Sequence, residues 1–294
     1  MPQSLPAAIA PGLSAAVALA VLGGAMLHAL WNTLLKAGGD QTADTALLPL
    51  CAGLLALPLL AWAGLPAPAS WPFVAASMCV HLGYYASLAG AYRHGDLGST
   101  YPVMRGMAPL WVALASGPLL GEWPGLGGWL GIAGVAGGVV LLGLARPLAS
   151  APHRRALAFA VLNAAMIALY TLFDGVGVRR SGNALGYVLS LFALNALPYP
   201  LFVAWRRGGA RRLFEHARRR WAQGFLGAAA SIGSYAIALW AMTRAPIALV
   251  AALRETSVLF AAVLATLLLH EGFGLRRALG TGAILAGIVA LRLA

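Results

Sequence analysis

Charged side chains are scarce in this sequence, at 10% of 294 residues, against about 25% in a typical soluble domain. A chain so poor in charge cannot cover itself with a water-facing surface, and no stretch longer than about twenty residues is polar enough to fold as a soluble unit. Cysteine is nearly missing too. Cys51 and Cys79 both fall inside apolar runs, where a thiol serves as a small hydrophobe, so a disulfide framework is excluded. The histidines at His28, His81, His94, His153, His216 and His270 are scattered, with no His-x-x-x-His spacing. Neither a metal nor a cofactor is expected, and a membrane-embedded enzyme is disfavoured. No Lys or Arg precedes the apolar core of the opening MPQSLPAAIAPGLSAAVALAVLGG, so it lacks the charged region of a signal peptide and reads as a retained first helix.

What the chain has in abundance is apolar length, with hydrophobic residues at 61%. A hydrocarbon core roughly 30 Å thick needs about 20 apolar residues in a helix. Runs of that kind occupy 12–35, 45–64, 72–92, 97–120, 126–145, 156–178, 184–205, 221–243, 246–269 and 275–293, separated by Gly, Pro, Asp or Arg. The pattern predicts an all-α membrane protein of ten transmembrane helices. The net charge of +12 does not point to nucleic acid, because only Arg105 and Arg254 lie deep in these runs, and the other cations lie between them or within two residues of a run's end. Basic helix ends suit an anionic membrane surface.

The two halves resemble each other. At an offset of 149, Arg105 falls on Arg254, Glu122 on Glu271, Gly125 on Gly274 and Gly131 on Gly280, and 15 of the 41 residues from 105 to 145 are identical. Leu, Ala and Gly match often by chance in such a chain; Arg and Glu do not. A fainter correspondence places WNTLLK (31–36) over LYTLFD (169–174). Five helices per half is an odd number, so the second half would enter the membrane in the opposite sense. The expectation is two inverted five-helix repeats, 12–145 and 154–294, as in many alternating-access transporters.

The paired segments LGEWPGLGGWLGIAGVAGGVVLLGL and LHEGFGLRRALGTGAILAGIVALRL, set in a five-plus-five duplication, resemble the EamA family of the drug/metabolite transporter superfamily. In that family a Glu closes the fourth and ninth helices and a Gly-rich helix follows; Glu122 and Glu271 stand at those positions. The resemblance implies a carrier of amino acids, nucleotides, sugars, drugs or other metabolites, with a central cavity lined by the first, third, fourth, sixth and eighth helices.

Arg105 and Arg254 each lie about nine residues into a run, roughly 12 Å along a helix at 1.5 Å per residue. An Arg in that position costs at least ~2.5–3.5 kcal/mol on insertion scales, so both should face the bundle interior. The functional reading is a pair of fixed cations for a carboxylate or phosphate; the structural one is internal ion pairing. Asp174 is the expected partner of Arg254, because Glu255, adjacent in sequence, points about 100° away on a helix. Glu255 and Asp174 are also candidates for proton coupling, since desolvation and a neighbouring Arg act on such a carboxylate in opposite senses.

Tyr85 and Tyr235 lie well inside their spans and are candidate substrate contacts, as are Trp31 and Asn32; His28 could bond substrate or a neighbouring helix. Trp71, Trp123 and Trp221 read as interface anchors. Glu122 and Glu271 precede the fifth and tenth helices and are expected to cap them. Gly134 and Gly138, with Gly282 and Gly287, are expected to let helices pack closely. Pro102 and Pro109 flank Arg105 and predict a loosened backbone there.

Segments joining helices 1–2, 3–4, 5–6, 7–8 and 9–10 carry fourteen Lys or Arg, and the others four. The positive-inside rule then puts both termini outside the cytoplasm, whereas the resemblance implies cytoplasmic termini. The expected function is secondary transport of a small anionic or zwitterionic organic metabolite across the cytoplasmic (inner) membrane. The alternative is a lipid-linked carrier translocase or a non-transporting membrane partner. The expected partners are a small-molecule substrate and membrane lipids; a coupling proton and a homodimer stay open, and nucleic acid is not expected.

Overall fold

The computed structural model describes residues 12–36, 40–94, 97–143, 151–261, 263 and 275–293. Eleven helices account for nearly all of them, with no strand among the described residues: α1 Ala15–Lys36, α2 Gln41–Ala63, α3 Trp71–His94, α4 Leu97–Leu120, α5 Leu126–Gly143, α6 Ala151–Arg180, α7 Ala184–Asn195, α8 Pro198–Arg206, α9 Ala210–Met242, α10 Ile247–Arg254 and α11 Leu275–Leu293. Among the described residues, six segments are long and apolar enough to cross a bilayer: Ala15–Leu34, Thr42–Ala63, Val103–Leu120, Arg154–Arg180, Ala184–Arg206 and Ala210–Met242. Leu126–Leu141 and Leu279–Leu291 are shorter apolar stretches. Large apolar side chains such as Trp62 (80% exposed) and Leu126 (78%) line the outside. That outer surface suits lipid and would be untenable in water. The chain is a multi-pass helical membrane protein.

Local chemistry sets the helix ends. Asp40 caps α2 by accepting the Ala43 N–H at 3.1 Å, and Asn183 caps α7 by accepting from Gly186 at 2.9 Å. The seventh apolar run is not one regular helix. It breaks at Ala196–Leu197, where Pro198, lacking an N–H, opens α8. The ninth breaks after Arg254, where Thr256 directs both its N–H and its hydroxyl to the Leu253 carbonyl. The loosening expected beside Arg105 is absent, since α4 runs unbroken from Leu97 to Leu120. One missing N–H at Pro109 is tolerated within a packed helix.

Lipid tails are as apolar as leucine, so helices in a membrane associate by close packing more than by hydrophobic drive. The Gly-rich α5 and α11 run antiparallel in such a contact. A Cβ on Gly138 would lie 2.7 Å from the Gly280 carbonyl oxygen, and one on Gly287 would lie 2.8 Å from the Gly131 oxygen and 2.6 Å from the Val135 nitrogen. A Cβ on Gly134 would lie 3.0 Å from the Gly287 Cα, while Gly282 faces open space. Gly287→Val should therefore force α5 and α11 apart and cost about 1–3 kcal/mol, as overpacking usually does. A melting curve in detergent that matched the parent protein would refute this. Elsewhere α3 lies against α6, α1 against α9, α2 against α7, and α4 against α5, α6 and α10.

Candidate functional site: a central cavity with two arginines

The helices line a cavity of about 320 Å³, within the range of small-ligand sites. Its wall comes from α1 (His28, Trp31, Asn32), α2 (Thr45), α3 (His81, Tyr84), α4 (Arg105), α6 (Asn163, Tyr170), α7 (Phe192, Asn195), α9 (Ser231, Ser234, Tyr235) and α10 (Arg254). Besides the helices implied by the family resemblance, α2, α7 and α10 contribute. Arg105 and Arg254 are the only Lys, Arg, Asp or Glu among the described lining residues. Aromatic rings and several neutral hydrogen-bonding groups surround them.

The two arginines are held differently. Arg105 is 7% exposed, and its Nε lies 2.8 Å from Glu255 Oε2. Arg105 has no acidic residue in its own run, and the turn after Arg254 supplies a partner by bringing Glu255 to it. Arg254 does not pair with Asp174, as helix geometry had suggested. Its guanidinium stacks over the Tyr235 ring at 5.2 Å, a cation–π contact. Among the described residues no carboxylate forms an ion pair with it. Asp174 is fully buried and is served by tyrosines instead: Tyr187 donates to Oδ1 at 3.0 Å, and Tyr235 donates to Oδ2. Tyr235 thus touches the cavity cation with its ring and the buried acid with its hydroxyl.

A recess of about 10 Å³ adjoins the Arg105–Glu255 pair, lined also by Tyr170, Thr171 and Arg254, and is roughly the size of one water. Asn32 donates to the His28 carbonyl at 2.8 Å. The Trp31 indole donates to His28 Nδ1 at 3.3 Å, which leaves the proton of a neutral ring on Nε2. His81 donates from Nδ1 to the Ser77 carbonyl at 2.7 Å and stacks on Tyr170 at 4.6 Å. Asn163 directs its two N–H groups to the Tyr84 carbonyl (2.9 Å) and the Ser87 hydroxyl (3.0 Å). Its Oδ1 has no hydrogen-bond partner among the described residues. Tyr85 lies on α3, but its side chain is outside the described residues, as is Glu271 altogether.

The sequence did not single out His81, Asn163, Thr45, Asn195, Ser231 or Ser234 as contacts. A usable signal was the helical spacing of polar residues inside apolar runs: Asn163, Tyr170 and Asp174 stand seven and four apart on α6.

Below the cavity, toward the C-terminal end of α6, the bundle is solid. Tyr187, Val188, Leu239, Met242 and Ile247 are fully buried there. Glu122 closes this end, but it caps α10 and not the α5 expected from its place in the sequence. Its Oε2 accepts the Ile247 N–H at 2.9 Å, while Oε1 takes Arg179 Nη1. Arg179 also donates to the Met242 and Ala245 carbonyls, at 2.6 and 3.0 Å, at the C-terminus of α9. An acid at a helix N-terminus and a cation at a C-terminus are both favoured by the macrodipole.

At the opposite end α2 is tied to the α8–α9 corner. Asp40 holds Arg207 two-pronged, and Asp44 Oδ1 meets His216 at 2.8 Å and Arg220 at 2.9 Å. Hydrogen bonds from Arg207 hold the Asp40 carboxyl well below the usual carboxylate range. A depressed folded-state pKa contributes stability above the unfolded value, about 3.9, and loses it as pH falls toward the folded value. Asp40→Asn should therefore lower the melting temperature near neutral pH, and its deficit should shrink as the solution is acidified below about pH 4. A deficit independent of pH would contradict this.

The described residues form a polytopic helical bundle around a ligand-sized cavity, solid at one end. Residues 154–293, in the second half of the chain, match the EamA-like transporter family. Members of that family are transporters, so the matched half is similar to membrane transporters of the drug/metabolite type. The chain also superposes on a crystal structure of another protein with a TM-score of 0.69, covering 95% of this chain and 96% of that one at 16% identity. That likeness speaks for the fold alone. No curated protein gives a significant match to the sequence.

Proposed function

We propose that this protein is a secondary transporter that carries a small anionic or zwitterionic organic metabolite across the cytoplasmic (inner) membrane by alternating access. The observation that carries the reading is the pair of arginines in the wall of a cavity that has no described lining carboxylate. Two inverted five-helix repeats, 12–145 and 154–294, giving ten spans, would move about this site. The repeat reading is supported by the α5–α11 contact: exchanging each glycine of the Gly131–Gly287 contact for its equivalent 149 residues away gives Gly280–Gly138, which is also a contact. A substrate acid would be gripped by Arg254, with Arg105 second, while the rings of Trp31, Tyr84, Tyr170 and Tyr235 cover its apolar part.

Coupling follows from the ion pair. Arg105 cannot serve Glu255 and a substrate anion at full strength together, so an anion at Arg105 and a proton on Glu255 favour each other by linkage. Asp174, reached through Tyr235, is the other candidate for carrying the proton. The charge distribution favours both termini outside the cytoplasm, which a reporter fused to the C-terminus would test.

The deciding experiment is a thermal-shift screen over amino acids, phosphonates, organic acids and sugars, followed by uptake of the hits into proteoliposomes with proton flux recorded. Hits confined to neutral or cationic compounds would defeat the anion reading. Stabilisation by a lipid-linked headgroup without uptake of soluble compounds would favour the translocase.

A further inference from the structure

The connection from Trp205 to Trp221, WRRGGARRLFEHARRRW, carries seven arginines, and the fold sorts them into two sets. A joint falls within it: α9 is two helices meeting at Arg220 (φ −123°, ψ 17°), so Ala210–Arg219 is a helix distinct from the long apolar segment that follows. Its inner face is committed to the protein. Leu213 is buried beside Ala43, Ala46 and Val203, while His216 and Arg220 meet Asp44, and Arg207 meets Asp40.

The outer face is different. Arg206, Arg211, Arg212, Arg218 and Arg219 are exposed, and only Arg211 has a carboxylate, Glu215 at 2.9 Å, among the described residues. Phe214 is 69% exposed on the same helix, and Trp205 (76%) and Trp221 (62%) flank it. Exposed tryptophans mark headgroup depth, and a helix with basic and aromatic residues on its outer side lies in that interface. A soluble polyanion would match the arginines but give the three aromatic side chains no reason to be exposed. An anionic phospholipid matches both. Its phosphate takes the forked donors of guanidinium, and its glycerol–acyl boundary takes the rings.

We infer that the outer face of the Ala210–Arg219 helix is a binding site for anionic phospholipid headgroups, centred on Arg212, Arg218 and Arg219 with Arg206 beside them. It depends on the chain being a membrane protein and not on what it carries. Because Arg220 and Asp44, on the inner face, line a recess shared with Trp31 and Leu48 of the cavity wall, the lipid would sit one helix thickness from the substrate.

The test uses the intact protein in detergent, supplied with phosphatidylglycerol or phosphatidylcholine and read by native mass spectrometry. The wild type should retain phosphatidylglycerol over phosphatidylcholine. Arg212→Gln/Arg218→Gln/Arg219→Gln should weaken that retention by roughly fivefold per charge removed, leaving phosphatidylcholine and the melting temperature unchanged. Equal phosphatidylglycerol retention by both proteins at equal melting temperature overturns the inference. So does full displacement by millimolar inorganic phosphate, which would indicate a soluble-anion site, or preference for an oligonucleotide over the lipid.

Discussion

Arg105→Met should destabilise the folded protein by about 3–5 kcal/mol, and adding Glu255→Gln should restore most of that loss. The asymmetry comes from burial. Glu255 is 4% exposed and depends on Arg105 at 2.8 Å. Removing the cation alone leaves a buried carboxylate without its charge partner. Neutralising both leaves a hydrogen-bonding amide beside an apolar chain of similar volume, an exchange that is often neutral. Melting temperatures and denaturant midpoints of the two single variants and the double variant complete the cycle. A double variant no more stable than the worse single one would mean the two residues are not coupled. The double variant also separates folding from function, since a protein that folds without the pair but no longer binds organic acids has lost the site alone.

Arg254→Gln should have the opposite profile. Its guanidinium rests on the Tyr235 ring and forms no ion pair with a described carboxylate, so the fold loses little. A charge-assisted hydrogen bond to a substrate acid is worth about 1.5–3 kcal/mol, so the affinity for a carboxylate or phosphonate ligand should drop roughly 10- to 150-fold. The measurement is a titration of the strongest acidic hit in proteoliposomes, beside a neutral analogue. Equal losses for the two ligands would remove Arg254 from the anion site.

Much of this architecture is legible in the sequence, for physical reasons that can be named. The apolar runs had to become helices because unpaired backbone is intolerable in lipid. The two arginines stood out because each is costly in an apolar run and because they superpose at one offset. Their partners were harder to read. The 100° rule that turned Glu255 away from the site assumes an unbroken helix, and the chain turns at Glu255–Thr256. Asp174 was assigned a cation because acids in membranes need partners, yet two tyrosine hydroxyls meet that need. Glu122 followed the general rule that acids sit at helix N-termini, but the helix it serves is 125 residues distant. Long-range pairings of this kind depend on which elements end side by side, and no local pattern encodes that.

The clasp built on Glu122 has a consequence for the populations of states. It joins the segment after α4, the end of α6 and both sides of the α9–α10 corner through one carboxylate and one guanidinium. Any conformation that parts this end must hydrate both groups and uncap α10 together, so the loss is concentrated in one step. If the protein alternates as proposed, its resting ensemble would be weighted toward molecules shut on that face. Under the proposed alternating-access reading, solute held by the arginines would have to contribute enough binding free energy on the way through to tip that ratio, and the clasp would set how far the idle carrier leaks.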